Sequence, residues 1–114
     1  MDLYKEYLKE RSDVDLLIDP QGFVAFKCYQ DRGEIFIVDL FVTREARGSH
    51  IYPQLMARLI DAHPWATHLT GTLFLDSQAN ANATLLAALK SGWKVVGATN
   101  NTIAIVREIK KCQD

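Results

Sequence analysis

The sequence predicts one domain, over residues 1–114, built on a mixed α/β sheet with helices on its faces. Two observations lead to this fold class. With 114 residues, 48% of them hydrophobic, the chain is long enough for a core of its own and has an ordinary globular composition. Hydrophobic periodicity then gives the order helix, three strands, helix, strand, helix, two strands, which is the pattern of a sheet covered by helices.

Helices and strands are bounded by changes in this periodicity and by turn residues. In chain order they are a helix at 2–11, strands at 14–18, 23–30 and 34–43, a helix at 53–62, a strand at 67–75, a helix at 80–89, and strands at 93–96 and 102–109. The first helix is amphipathic, because its apolar side chains share one stripe and charged side chains cover the rest. The members of that stripe are Leu3, Tyr4, Tyr7 and Leu8.

Turn chemistry separates the first three strands. Pro20 fixes φ and Gly22 accepts a positive φ, so the first two strands form a hairpin. Gly33 ends a second tight turn before the third strand. That strand is apolar on nearly every residue from 35 to 42, which is typical of a strand in the middle of a covered sheet.

The second half of the chain contains the parallel part of the sheet. The strand–helix–strand unit over residues 34–75 is predicted to be a right-handed parallel crossover. Its helix carries Pro53 near the first turn, where a missing N–H costs nothing. The last helix stops at Gly92, which supplies a left-handed cap, and the two final strands form a hairpin.

Composition and charge narrow the possible functions. A net charge of −1 argues against a general nucleic-acid binder, which usually carries a basic patch. No apolar run approaches the roughly 20 residues that span a bilayer, and the charged N-terminus is unlike a signal peptide. Cys28 and Cys112 lack metal-ligand spacing and are expected as reduced thiols, and His63 and His68 fit no zinc pattern. We therefore expect a cytoplasmic protein with no bound metal and no membrane partner.

The stretch from residue 42 to residue 60 carries the strongest functional signal. A hydrophobic strand runs into a loop that contains Arg47 and Gly48, and the loop runs into an amphipathic helix. Loop and helix N–H groups then point towards one spot, and the helix dipole favours negative charge there. This layout predicts an anion site.

Three segments, taken in order, resemble the GNAT N-acetyltransferase superfamily. Residues 37–48 are similar to its central strand and to the V-x-P-x-x-R-G opening of its pyrophosphate loop, with Arg44 where Pro is common. Residues 54–60 match its x-L-L-x-x-L-I helix, and residues 80–97 resemble its N-x-x-A-x-x-x-Y-x-x-x-G-F-x-x-x-G element. The resemblance covers residues 14–109. It implies a mixed, mostly antiparallel sheet with splayed central strands and helices on both faces.

The resemblance also implies a function. The chain would transfer an acetyl group from acetyl-CoA to an amine of a small molecule, a peptide or a protein. It would have acetyl-CoA (CoA) and an unidentified amine acceptor as partners. A homodimer is compatible with the resemblance.

The residues that would bind the cofactor form three groups. Strand positions 40–42 would line the pantetheine with their N–H groups in the gap between splayed strands, and loop positions 47–52 would hold the pyrophosphate. An Asn at the start of the last helix would contact the cofactor or cap the helix. By residue these are Leu40, Phe41, Val42, Arg47, Gly48, Ser49, His50, Ile51, Tyr52, and Asn80 or Asn82.

The loop departs from the family pattern at two positions. His50 and Tyr52 stand where the family has glycine or alanine. Glycine lets the backbone approach phosphate closely, so the larger residues either push the pyrophosphate outward or block it. Alternatively, the imidazole and the phenol supply donors of their own.

Two carboxylates are candidates for the general base. Asp39 is the only ionisable side chain inside an otherwise apolar strand, which favours a desolvated carboxylate, although an Asp at a solvated edge or in an ion pair fits too. Glu34, at the start of the same strand, is the second candidate. The family's general acid, a Tyr five residues before the aromatic that follows the helix, corresponds to Ala88, so solvent would protonate the leaving thiolate.

Two other functions fit the sequence. A GNAT-like fold that has lost its cofactor would act as a protein-binding module, a reading motivated by the two loop replacements, by Ala88 and by the short N-terminus. The second alternative is an unrelated small α/β domain whose loop binds another anion. A sheet without a splay between residues 34–43 and 67–75 would favour it.

Overall fold

The computed structural model describes residues 2–74 and 81–109. The elements are α1 Asp2–Ser12, β1 Asp15–Asp19, β2 Gly22–Tyr29, β3 Glu34–Val42, α2 Ile51–Asp61, β4 His68–Phe74, α3 Ala81–Lys90, β5 Lys94–Ala98 and β6 Thr102–Glu108. Two short 3₁₀ turns, Gln30–Arg32 and Arg44–Ala46, flank β3. The predicted order of helices and strands is confirmed. Most bounds shift by one or two residues, which is the usual uncertainty at the end of an element.

Within the described residues the strands form one sheet in the order β1-β2-β3-β4-β6-β5. β3 and β4 pair in parallel, and the other neighbouring strands pair antiparallel. The connection from β3 through α2 to β4 is therefore the predicted parallel crossover. The mixed, mostly antiparallel sheet is confirmed.

The two parallel strands separate halfway along their length. Residues Glu34 to Ile37 of β3 pair with His68 to Gly71 of β4. Beyond this point β3 runs on to Val42, while β4 stays paired with β6 as far as Phe74. A gap therefore opens between β3 and β4 at the end where both strands finish, which is the predicted splay.

The start of this crossover is held by a tight turn at Gly33. Its φ is +66°, and a Cβ at this position would lie 2.7 Å from the Thr67 hydroxyl oxygen. The Thr67 N–H donates to the Gly33 carbonyl over 2.8 Å. The turn therefore needs a glycine, and it sets the register in which β3 and β4 begin to pair.

Helices cover both faces of the sheet, but unequally. The main core lies on the α2 face, where Met56 and Leu59 of α2 pack against Ile35, Leu69 and Trp93. A smaller core lies under α1 on the other face. It consists of Val14, Leu16 and Ala25, with Leu8, Ile18 and Phe23 packed against it.

The predicted apolar stripe of α1 is mostly in solvent. Leu8 packs against the smaller core. Leu3 is 82% exposed, and Tyr4 and Tyr7 are about half exposed. The prediction of a helix was correct, but α1 meets the sheet through the end of its stripe rather than along the whole of it.

A β-bulge interrupts β3 where the strands separate. Ala25 of β2 lies opposite Asp39, whereas the next residue, Phe26, lies opposite Ile37, so Val38 is an extra residue. A bulge places two successive side chains on the same side of a strand. The side chains of Ile35, Ile37 and Leu40 accordingly face the main core.

Candidate functional site

The loop between β3 and α2 is a compact turn with a glycine in the left-handed region. The 3₁₀ turn Arg44–Ala46 follows β3, Gly48 has φ of +80°, and α2 begins at Ile51. A Cβ at Gly48 would meet nothing within 4 Å, so the backbone conformation, rather than crowding, requires glycine here. The Ser49 hydroxyl donates to the Ala46 carbonyl and holds the turn.

This loop leaves several backbone donors unused. Within residues 2–74 and 81–109, the N–H groups of Gly48, His50 and Tyr52 have no acceptor, and Pro53 has no N–H to satisfy. These donors lie together at the N-terminus of α2, where the helix dipole favours an anion. The loop therefore has three unpartnered backbone donors, among the described residues, at a helix N-terminus.

Within the described residues, Arg47 is held against the end of β3 rather than in a surface ion pair. Its Nε–H donates to the Val42 carbonyl over 3.1 Å, and its guanidinium carbon lies 5.8 Å from the centre of the Phe41 ring. The terminal amino groups of the guanidinium have no partner in the part of the chain that the structure describes. The charged end of Arg47 is therefore unpaired, among the described residues, at the end of β3.

The two large residues of the loop behave differently from each other. His50 is exposed at the N-cap of α2 and uses no side-chain capping bond. Tyr52 instead turns inwards: it packs against the main core, and its hydroxyl accepts a hydrogen bond from the Trp93 indole N–H over 3.1 Å. The ring of Tyr52 is therefore anchored on protein and does not stand free over the loop.

Sequence reasoning missed the contact between Tyr52 and Trp93. Both residues were visible as large side chains at positions where the family has smaller ones, glycine or alanine in the loop and phenylalanine after the last helix. The larger side chain at both positions is the signal that could have suggested a contact between Tyr52 and Trp93. Ile51, beside Tyr52, is half-buried against a third apolar cluster with Val42 and Leu55.

Backbone direction shows which part of β3 faces the gap. The Thr43 N–H donates to the Gln21 carbonyl over 2.9 Å, so the backbone N–H of Thr43 points towards β2. N–H directions alternate along a strand, so the N–H of Phe41 also points towards β2. The N–H groups of Leu40 and Val42 point the other way, into the gap beside β4. The side chains of Leu40 and Val42 pack below α2, while Phe41 lies on the α1 face with its ring 6.0 Å from that of Phe23.

Asp39 is not desolvated, which corrects the expectation from the sequence. Its side chain is exposed, because the bulge at Val38 turns it to the α1 face and puts Leu40 into the core instead. Its Oδ1 accepts the Leu40 N–H over 2.9 Å. Because that N–H faces the gap, the carboxylate lies at the boundary between the gap and the α1 face.

Glu34 lies at the opposite end of β3 and is already engaged. Its side chain is 16% exposed, and Oε1 lies 3.3 Å from the Arg32 Nε. Its Oε2 accepts the Thr70 hydroxyl over 2.5 Å. Glu34 is about 20 Å along the strand from Leu40, at 3.3 Å per residue. The structure does not bring Glu34 and the gap together.

The remaining predicted positions are in or near α3. Asn80 lies outside the described residues, and Asn82 is the second residue of α3. Ala88 is half-buried beside the main core, and its carbonyl accepts the backbone N–H of Trp93 over 3.0 Å.

The His63 Nδ1 contacts the Leu59 carbonyl at 2.7 Å. Among residues 2–74 and 81–109, no three His, Cys, Asp or Glu side chains are grouped as a metal site.

Two clefts flank the sheet. One, of about 480 Å³, runs along α2 and is lined by Tyr52, Pro53, Met56, Ala57, Ile60, Asp61, Ser91 and Arg107. The other, of about 360 Å³, lies between α1 and the sheet and contains Asp39. In the described residues no helix is long and apolar enough to cross a membrane.

Comparison with solved structures identifies the fold. The chain is similar to an acetyltransferase from Thermus thermophilus, with a TM-score of 0.69, 15% identity, and 91% of this chain and 70% of that chain covered. It is also similar to the PaiA N-acetyltransferase from Thermoplasma acidophilum in complex with coenzyme A, with a TM-score of 0.68, 16% identity, and coverage of 94% and 69%. A GNAT-family protein from Bacteroides thetaiotaomicron gives a TM-score of 0.66 at 8% identity, over 97% and 70%.

The comparisons based on sequence find no match, in contrast to the comparison based on structure. No protein-family model matches the chain, and no curated protein matches it. The chain spans between 64% and 70% of the length of the similar structures. The identities of 8% to 16% mean that the likeness lies in the fold rather than in the sequence. The chain therefore has the fold of the GNAT acetyltransferases, in a form divergent from the solved examples.

Proposed function

We propose that this protein is an acetyl-CoA-dependent N-acetyltransferase that acts on an amine of a small molecule, peptide or protein. One observation carries the proposal. Within residues 2–74 and 81–109, the N–H groups of Gly48, His50 and Tyr52 are unpartnered at the N-terminus of α2, which follows the end of β3 that borders the gap. A donor cluster for phosphate beside a gap between separated strands suits an elongated ligand that ends in a pyrophosphate.

The residues present fit coenzyme A. Gly48, His50 and Tyr52 would hold the pyrophosphate through their N–H groups, with the imidazole of His50 and the guanidinium of Arg47 as further donors. Leu40 and Val42 would offer their gap-facing N–H groups to the pantetheine. The anchored ring of Tyr52 leaves the loop donors accessible, which supports retention of the site despite the missing glycines.

Acetyl-CoA would supply an activated acetyl group. The amine nitrogen would bond to the acetyl carbon, and the carbon–sulfur bond would break. An ammonium acceptor would lose two protons, one to the sulfur and one to solvent. Asp39 is the carboxylate best placed to take a proton from the amine, because it lies at the edge of the gap. To do so it must release the Leu40 N–H that it now accepts. Glu34 is the second candidate, and its partners Arg32 and Thr70 favour a structural role.

Titration calorimetry with CoA and with acetyl-CoA tests the proposal. We expect saturable one-to-one binding of both, and no comparable binding of pantetheine, which lacks the pyrophosphate that the loop would hold. Release of free thiol in the presence of a mixture of amines then measures turnover. Absence of binding at millimolar CoA would contradict the proposal and favour a GNAT-fold module that binds another protein.

A further inference from the structure

The cleft between α1 and the sheet is on the face opposite the main core. It has a volume of about 360 Å³. Its wall is mainly apolar and aromatic, and two charged side chains interrupt it. The lining residues are Tyr4, Leu8, Ser12, Val14, Leu16, Phe23, Ala25, Lys27, Phe36, Val38 and Asp39.

The two charged side chains of the cleft come from neighbouring strands, Lys27 from β2 and Asp39 from β3. Ala25 lies opposite Asp39 on the neighbouring strand, and Lys27 follows two residues later on the same face as Ala25. Within the described residues neither Lys27 nor Asp39 takes part in an ion pair. The cleft thus offers one ammonium and one carboxylate to a ligand that carries the opposite charges.

The carboxylate end of this cleft meets the gap between β3 and β4. The bulge at Val38 puts Asp39 on the α1 face, and its Oδ1 accepts the gap-facing Leu40 N–H over 2.9 Å. A ligand amine that contacts Asp39 from the cleft therefore lies next to the strand edge proposed to hold the acyl donor. The Lys27 end lies further from the gap, opposite Phe36.

We infer that this cleft is the acceptor site and that its acceptor is an α-amino acid with an apolar side chain. The amine contacts Asp39, the carboxylate contacts Lys27, and the apolar side chain packs among Leu8, Phe23 and Phe36. The inference rests on the proposed N-acetyltransferase function for the reaction, but binding of the acceptor can be measured without acetyl-CoA. A polyamine matches the cleft less well, because the wall has one carboxylate and a lysine.

Backbone NMR titration of the full chain with L-phenylalanine tests the site directly. We expect saturable shifts at residues that line the cleft, and at least tenfold weaker binding of 2-phenylethylamine, which lacks the carboxylate. Lys27→Met should weaken binding of L-phenylalanine about tenfold and leave that of 2-phenylethylamine nearly unchanged. Lys94→Met, which removes an exposed lysine on β5 away from the cleft, is the matched control. Equal binding of the two ligands to the unmodified protein would overturn the inference, whatever the variants do.

The outcomes separate this inference from the proposed function. If acetyl-CoA binds and another amine is acetylated while L-phenylalanine causes no shifts in the cleft, the acceptor assignment is wrong and the proposed function stands. If L-phenylalanine binds in the cleft but no acetyl-CoA binds, the acetyltransferase proposal is wrong and the cleft remains an amino-acid site.

Discussion

The indole N–H of Trp93 donates a hydrogen bond to the hydroxyl of Tyr52 over 3.1 Å, and this bond joins the start of α2 to the chain just after α3. Tyr52 stands at a loop position where the resembled family has a small residue. The bond explains how a large ring is tolerated there: it is drawn into the core rather than left over the loop. The same bond gives this part of the loop a structural role.

Tyr52→Phe should destabilise the protein without disturbing the loop. Trp93 is 6% exposed, so loss of the hydroxyl leaves an indole N–H without a partner. This should lower the free energy of unfolding by about 1–2 kcal/mol, measured by urea denaturation. Tyr4→Phe, at an exposed tyrosine, should change it by less than about 0.5 kcal/mol. Equal stability of the two variants would mean that the bond contributes nothing.

Gly48→Ala should weaken CoA binding. Gly48 has φ of +80°, and an alanine there costs about 1–2 kcal/mol or shifts the loop out of the conformation that presents its N–H groups. We expect a reduction in affinity of about tenfold by calorimetry. Gly97→Ala is the matched control, because Gly97 also has open space around it but does not have a left-handed φ. A loop that binds CoA equally well in both variants would argue against backbone recognition.

Arg47→Ala should also weaken CoA binding, through loss of a charged donor. A charge-assisted contact to phosphate is worth about 1.5–3 kcal/mol, so the affinity should fall at least tenfold. Arg44→Ala removes an arginine three positions earlier, whose side chain is exposed and has no partner among the described residues. It should leave the affinity within about twofold, since an exposed charge contributes little. The effect of Arg47→Ala should shrink as salt is raised.

Asp39→Asn and Glu34→Gln should separate the two candidate bases. We expect Asp39→Asn to lower kcat at least about a hundredfold, the usual contribution of a general base, with little effect on stability because the side chain is exposed. Glu34→Gln should lower kcat less than tenfold but reduce the free energy of unfolding by about 1 kcal/mol, since the Arg32 and Thr70 contacts weaken. The reverse pattern in kcat would assign the base to Glu34.

Cys28 should react slowly with alkylating reagents. Burial, mainly through desolvation, raises the pKa of the Cys28 thiol above its ordinary value of 9.0, with the nearby Asp15 carboxylate acting in the same direction. In a Cys112→Ser variant, iodoacetamide at pH 8.5 should therefore modify Cys28 more slowly than a free peptide thiol. The pH at which the alkylation rate of Cys28 increases should be higher than the corresponding pH for the peptide thiol. The same shift lowers stability as the pH rises above 9.0, because the unfolded chain then ionises the thiol first.

The central position of β3 and the loop before α2 were predictable because each depends on local pattern, whereas the gap was expected only from the family resemblance. Apolar residues at every position from 35 to 42 except Asp39 predict that β3 lies in the centre of the sheet, and an arginine–glycine turn before an amphipathic helix predicts backbone donors at the start of that helix. The orientation of Asp39 was not predictable. Strict alternation puts Asp39 with Ile35 and Ile37 in the core, and only the extra residue at Val38 reverses it.

Local patterns in the sequence were enough to predict the order of the elements, the parallel crossover and the position of the loop between β3 and α2, because periodicity, turn residues and helix ends act over a few neighbouring residues. Only the tertiary structure decided which way Asp39 faces, that Tyr52 is anchored by Trp93, and that α1 leaves a charged cleft over the sheet. Each of these depends on contacts between residues far apart in the chain. Strand register and helix docking are set by the packing of the whole domain, which no local pattern specifies.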